Sequence, residues 1–191
     1  MLTKKMYVSG GSPYELQAVF SHIRGVEKTT VGMIELPSMP KLYGIGEDEP
    51  QALVKGVEVV YSPKKLDISM LIDVLFAVVN PYIPDQAGTF QGEMYRSGVY
   101  YVSEEDRVQV EFCMNFIRNR GKPPTIGSSH ITVNDPNTVP KFARQCFAKA
   151  RRMSAFQPAG EEEQDYLTRH PDTETVIDFA KLQSYLDVWV D

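Results

Sequence analysis

The stretch Met6-Tyr7-Val8-Ser9-Gly10-Gly11-Ser12-Pro13-Tyr14-Glu15-Leu16-Gln17-Ala18-Val19-Phe20 decides the fold. A short apolar run closes on two glycines, and Leu16, Val19, Phe20 and Ile23 then recur at helical spacing. Between the two lies a helix start: Ser12 as N-cap, Pro13 at the first helical position, and Glu15 three residues after the cap to complete a capping box. The segment therefore reads as strand, tight turn, helix, with Gly25 ending the helix.

Outward from it, strands and helices interleave. Residues 26–36, rich in Val, Ile and Thr, read as a strand, and 37–50, with three prolines and two glycines, as a loop. Residues 56–61 alternate as an antiparallel strand and stop at Ser62-Pro63. Residues 67–79 form a broadly apolar helix closed by Asn80-Pro81, followed by a non-periodic surface loop over 81–92. A strand at 98–102 leads into a helix over 103–118, opened by Ser103 and Asp106 and striped by Val110, Cys113, Met114 and Ile117. Further on, the spacing predicts a brief strand at 131–133, a helix at 139–152, a loop at 153–160 and a last helix at 173–190. The run Glu161-Glu162-Glu163 reads as a solvated helix start. This pattern predicts an α+β fold, a two-layer sandwich of helices against a mixed, mostly antiparallel sheet, as a single domain over 1–191.

Composition narrows the function. The chain has 191 residues, 42% hydrophobic and 24% charged, enough for a sizeable core. With 20 basic against 25 acidic residues the net charge is −5, which argues against nucleic acid as a partner. Cys113 and Cys146 lie too far apart for a metal-ligand spacing and fall on apolar stripes typical of core cysteines, so no disulfide framework, metal or other cofactor is expected. The opening Met1-Leu2-Thr3-Lys4-Lys5 precedes too short an apolar run for a signal peptide. The most apolar stretch, 70–79, is about half of a bilayer span. A cytoplasmic protein without a membrane partner is the expectation.

Four blocks, in order, resemble the A-type peptide methionine sulfoxide reductases. Gly11-Ser12-Pro13-Tyr14 through Ala18-Val19-Phe20 resembles that family's Gly-Cys-Phe-Trp-Gly and following helix, and Val59-Val60-Tyr61-Ser62-Pro63 its Val-x-Tyr-Asp-Pro. Gly92-Glu93-Met94-Tyr95-Arg96-Ser97 resembles Gly-Thr-Gln-Tyr-Arg-Ser. Phe156-Gln157-Pro158-Ala159 through Gln164-Asp165-Tyr166-Leu167 resembles Phe-Tyr-Pro-Ala through Gln-Asp-Tyr-Leu. The family's two site tyrosines fall on Tyr43 and Tyr95, 31 and 83 positions after Ser12, as in the family. The resemblance implies a ferredoxin-like core, an insertion near 134–155 and an extra C-terminal helix.

It also implies peptide-methionine (S)-S-oxide reduction, in which a cysteine thiolate at a helix N-terminus attacks the sulfoxide sulfur, releases methionine and becomes a sulfenic acid for a second thiol to resolve. Here the nucleophile position is Ser12, whose hydroxyl cannot follow that course. The family's glutamate acid falls on Lys55, its assisting aspartate on Phe90, and the histidine of its His-Gln-Asp-Tyr block on Glu163. Of the aromatic pair that holds the substrate methyl group, only Tyr14 remains aromatic. No cysteine lies near the C-terminus, where a resolving thiol sits in the family.

These departures predict a pseudoenzyme. Its cleft would be formed by Ser12 and Lys55 with Tyr14, Tyr43, Phe90, Tyr95 and Glu163, and would bind a small molecule or peptide bearing an anionic or sulfoxide group. Two alternatives keep catalysis: a serine-lysine hydrolase using Ser12 and Lys55, or residual sulfoxide reduction. The plainer readings are Ser12 as a helix cap, Lys55 as a surface ion pair, and Tyr43 and Tyr95 as half-buried aromatics.

Overall fold

The computed structural model describes residues 2–41, 48–118 and 145–187. Strand β1 (Lys4–Ser9) runs into the Gly10-Gly11 turn, and helix α1 (Pro13–Ser21) follows as the sequence predicts. Gly10 and Gly11 have φ of 151° and 65°, backbone that a Cβ would strain, which lets the chain reverse tightly onto the helix start. Then come β2 (Val26–Leu36), β3 (Ala52–Tyr61), α2 (Ile68–Val78), β4 (Gly98–Tyr101), α3 (Glu104–Arg118), β5 (Lys149–Arg152), β6 (Ala155–Pro158), α4 (Tyr166–Arg169) and α5 (Phe179–Asp187).

The six strands lie in the order β5-β4-β1-β3-β2-β6. Every pairing is antiparallel except β4 with β5, so the sheet is mixed and mostly antiparallel, as expected. β1 is central, and its alternation splits the interior. Met6 and Val8 face the main core with Val57, Val59 and Tyr61, under α1, α2, α3 and α5. Tyr7 joins Ile34, Leu36, Val54, Tyr100 and Met153 in a smaller cluster on the other side. Helix α2, capped by Asp67 Oδ1 on Ser69 N at 2.8 Å, is buried on most sides, which explains an apolar run interrupted only by Ser69 and Asp73.

The C-terminal third departs from the periodicity. The helix predicted over 139–152 is, within the described residues, extended chain leading into β5. Cys146 and Ala150 are four apart and fit a helix stripe, but with buried Ala148 between them they also fit a period of two. Pairing with β4 selects the second. The loop predicted over 153–160 contains β6, which adds to the edge of β2. The strand expected at 56–61 begins earlier, at Ala52. The helix expected from Thr173 begins only at Phe179, and residues 173–177 form a non-helical strap that bends at 176–177. The strand expected at 131–133 and the end of the last helix lie outside the described residues.

Candidate functional site

The Gly-Gly turn brings three segments against the start of α1. Ser9 Oγ bonds Arg96 O at 2.5 Å and Tyr100 Oη at 2.9 Å, while Gly11 N donates to Tyr95 O at 2.9 Å, which ties the 93–97 segment to the turn. Gln86 bonds Asn80 through both amide atoms, pinning the 80–92 loop past the end of α2. Ser12 Oγ accepts from Glu15 N at 3.3 Å, the first half of the predicted box. The second half is not made. The Glu15 carboxylate accepts instead from Val176 N at 2.6 Å and Ile177 N at 3.1 Å, fastening the strap over the helix start. Burial pushes the Glu15 carboxyl up, and these two N–H groups partly restrain it.

A glutamine pair docks the other wall. Gln164 Oε1 accepts from Val31 N at 2.9 Å and Gln17 Nε2 at 3.1 Å, and Gln164 Nε2 donates to Val31 O at 2.9 Å. Gln17 Oε1 accepts from Asp165 N at 2.9 Å, where the chain turns through a left-handed residue with φ 49°. The short 3₁₀ turn Glu161–Glu163 is thereby held against α1 and β2, so Glu163 points inward instead of standing as a solvated charge. Nothing in the sequence marked Gln17, and Gln164 was visible only as part of a resemblance.

Glu163 is the hinge of the site's charge. Its Oε1 accepts from Lys55 Nζ and from Tyr14 Oη, the latter at 2.8 Å. The Lys55 ammonium beside it, with Tyr14, holds the Glu163 carboxyl below the usual glutamate range, while burial and that same bond push the Tyr14 phenol up. Lys55 Nζ also lies 5.7 Å from the Tyr14 ring centre. Tyr14 stacks on Tyr166 with centroids 4.5 Å apart and meets Phe90 edge-on at 5.6 Å, and Phe90 meets Tyr95 at 5.3 Å. A cavity of about 350 Å³ opens beside these rings, lined by Ser12, Tyr14, Phe90 and Tyr166, with Thr173 to Val176 of the strap across it.

Six of the seven expected residues thus surround the start of α1; Tyr43 lies outside the described residues. Two observations bear on the chemistry expected here. The ammonium of Lys55 is spent on Glu163, and among the described residues no hydrogen bond joins it to Ser12, the contact a serine-lysine dyad needs. At the helix start, Pro13 has no N–H, the Glu15 N–H is taken by Ser12, and that of Gly11 by Tyr95.

A family model described as peptide methionine sulfoxide reductase matches residues 4–127, which include the turn, α1 and Lys55. The chain belongs to the peptide methionine sulfoxide reductase family. Among its curated relatives, peptide methionine sulfoxide reductase MsrA of Metamycoplasma arthritidis is 33% identical over 63% of this chain and 78% of its own length. MsrA of Mycoplasma pneumoniae is 28% identical over 88% and 94%. Solved structures share the fold: reduced Mxr1 of Saccharomyces cerevisiae has a TM-score of 0.65 at 15% identity, covering 91% of this chain and 89% of its own. Methionine sulfoxide reductase A of Corynebacterium diphtheriae has a TM-score of 0.64 at 17% identity, covering 91% and 77%.

Lys55 and Glu163, which the sequence resemblance aligns with the family's acid and histidine, form an ion pair in which Glu163 supplies the carboxylate. Because its carboxyl is lowered from the ordinary 4.5, Glu163 contributes stability in full above that pH, and the contribution is lost as pH falls through the folded value. Glu163→Gln is therefore expected to cost about 1 kcal/mol at pH 7. Urea unfolding at pH 7 and near pH 3.5 checks this: the gap to the parent should narrow in acid, and a gap independent of pH would contradict it.

Proposed function

We propose that this reductase-family chain binds in the family cleft without performing thiol reduction, and that its ligand is a neutral, methyl-bearing side chain of the methionine sulfoxide type. The carrying observation is the state of Ser12: it lines the cavity, has no sulfur, and uses its oxygen to cap α1. The two cysteines do not replace it. Cys113 and Cys146 pack against the main core, and burial pushes both thiols up, away from the reactive thiolate.

The cavity's chemistry favours a sulfoxide over an anion. Its ionisable lining residues besides tyrosines are Glu15 and Glu174, both acidic, and Lys55 is compensated by Glu163. Rings of Tyr14, Phe90 and Tyr166 suit a methyl or thioether group, and the hydroxyl proton of Ser12 can be donated to a sulfoxide oxygen.

The test combines calorimetric titration with turnover on one preparation. N-acetyl-methionine sulfoxide methylamide is expected to bind and raise the melting temperature, sulfate and citrate to do neither, and dithiothreitol-dependent methionine release to stay at background. Release above background, or binding of the anions without the sulfoxide, would overturn the reading, as would silence from every ligand.

A further inference from the structure

A second cavity, of about 340 Å³, adjoins the one at Ser12. Leu167, Thr173 and Thr175 line both, so the strap is part of the wall between them. The second is lined further by His22, His170 and the half-buried ring of Phe179, which packs against the main core. Among the described residues, no lysine or arginine lines either cavity.

Glu174 stands in that wall, between the two shared threonines, and lines the Ser12 cavity. It is exposed, and among the described residues no ion pair engages it. Its place is fixed from both sides: Thr173 N donates to His170 O at 3.1 Å, and Val176 N and Ile177 N donate to Glu15. A carboxylate is thereby held at the boundary of the two cavities. Lys55 does not offset it, being paired with Glu163.

We infer that the second cavity is a subsite for the residue next to methionine sulfoxide in a peptide, and that Glu174 makes this subsite select a cationic side chain, lysine or arginine. The inference rests on the cleft reading above and narrows its ligand to a basic peptide. An extended chain advances about 3.3–3.6 Å per residue, so two cavities that share a wall are reached by neighbouring residues of one peptide. The alkyl stem of a lysine or arginine packs on Phe179 and Leu167 while its charged head stays in water near Glu174, and the Phe179 ring adds its own attraction for a cation. An acidic side chain at the same place meets the like charge of Glu174. Because that charge is exposed, the discrimination is modest and sensitive to salt.

Calorimetric titration tests it near pH 8, above the usual range of imidazole titration, and at about 50 mM salt. The probes are acetylated and amidated tripeptides with methionine sulfoxide in the middle and lysine, glutamine or glutamate on both flanks. The lysine peptide is expected to bind about 3–10-fold tighter than the glutamine peptide, and the glutamate peptide about threefold or more weaker than it. At about 0.5 M salt the lysine preference should fall below roughly twofold, a result that needs no variant. Glu174→Gln should erase the preference and Glu174→Lys invert it. Thr168→Trp, which fills the second cavity from α4, should weaken the lysine peptide at least about fivefold more than N-acetyl-methionine sulfoxide methylamide. If the single-residue compound binds but the three peptides do not differ, or if the lysine preference survives Glu174→Gln, the inference is overturned and the cleft reading stands. If neither the compound nor any peptide binds, both fall.

Discussion

Ser12→Cys alone is expected to leave dithiothreitol-dependent reduction of a methionine sulfoxide peptide within about tenfold of background, whereas Ser12→Cys with Lys55→Glu raises it a further ~10²–10⁴-fold. The single change supplies a thiol at the start of α1 but no proton for the departing sulfoxide oxygen, since Lys55 and Glu163 are locked together as an ion pair. The second change sets a new carboxyl beside Glu163 and Tyr14. Two carboxyls sharing a site repel each other, which raises the pKa of one of them and favours the protonated form that an acid at this position needs. Methionine release followed by chromatography reads the result directly. If the double variant is no faster than the single one, position 55 is not the acid position, and the correspondence with the family pattern fails there.

Glu15→Ala is expected to cost about 2–4 kcal/mol and to loosen the strap. One Glu15 oxygen accepts from both Val176 and Ile177 N–H groups, and its side chain is nearly enclosed, so its removal strands two donors whose partner water replaces only in part. Denaturant unfolding measures the loss. Hydrogen exchange locates it: the amides of 176 and 177 should exchange at least 100-fold faster, while those of β1 and β3 in the middle of the sheet follow only the global change. Glu15→Gln, which keeps an acceptor oxygen at the same reach, should recover part of both effects. Unchanged protection at 176 and 177 in Glu15→Ala would mean that the strap is held by Ile177, Leu182 and Leu186 in the core instead.

These two expectations also separate what was legible beforehand from what was not. The strand-turn-helix at 6–20 and the Ser12 and Ser103 caps of α1 and α3 came out as read, because they rest on short-range backbone geometry and on hydrogen bonds spanning three residues. The C-terminal third did not. β5 and β6 are four residues each and exist because β4 and β2 offer them an edge, a long-range pairing that no local period reveals. The same holds for Glu15, whose spacing from Ser12 satisfies a capping box but whose carboxylate reaches a segment about 160 positions away.

By itself, the sequence determined which residue types are available where the resemblance points: a hydroxyl at Ser12, an amine at Lys55 and a carboxylate at Glu163. Those identities limit the chemistry whatever the fold does, since an oxygen cannot become a sulfenic acid. Only the tertiary structure decided what these groups do to one another. The Gln17–Gln164 clamp turns Glu163 inward, Glu163 neutralises Lys55, and the strap closes over Ser12, which makes an apparent cationic cleft an aromatic and mildly acidic one. The reason is physical: a charge acts through what lies within a few ångströms of it, and those neighbours are set by packing across the whole chain.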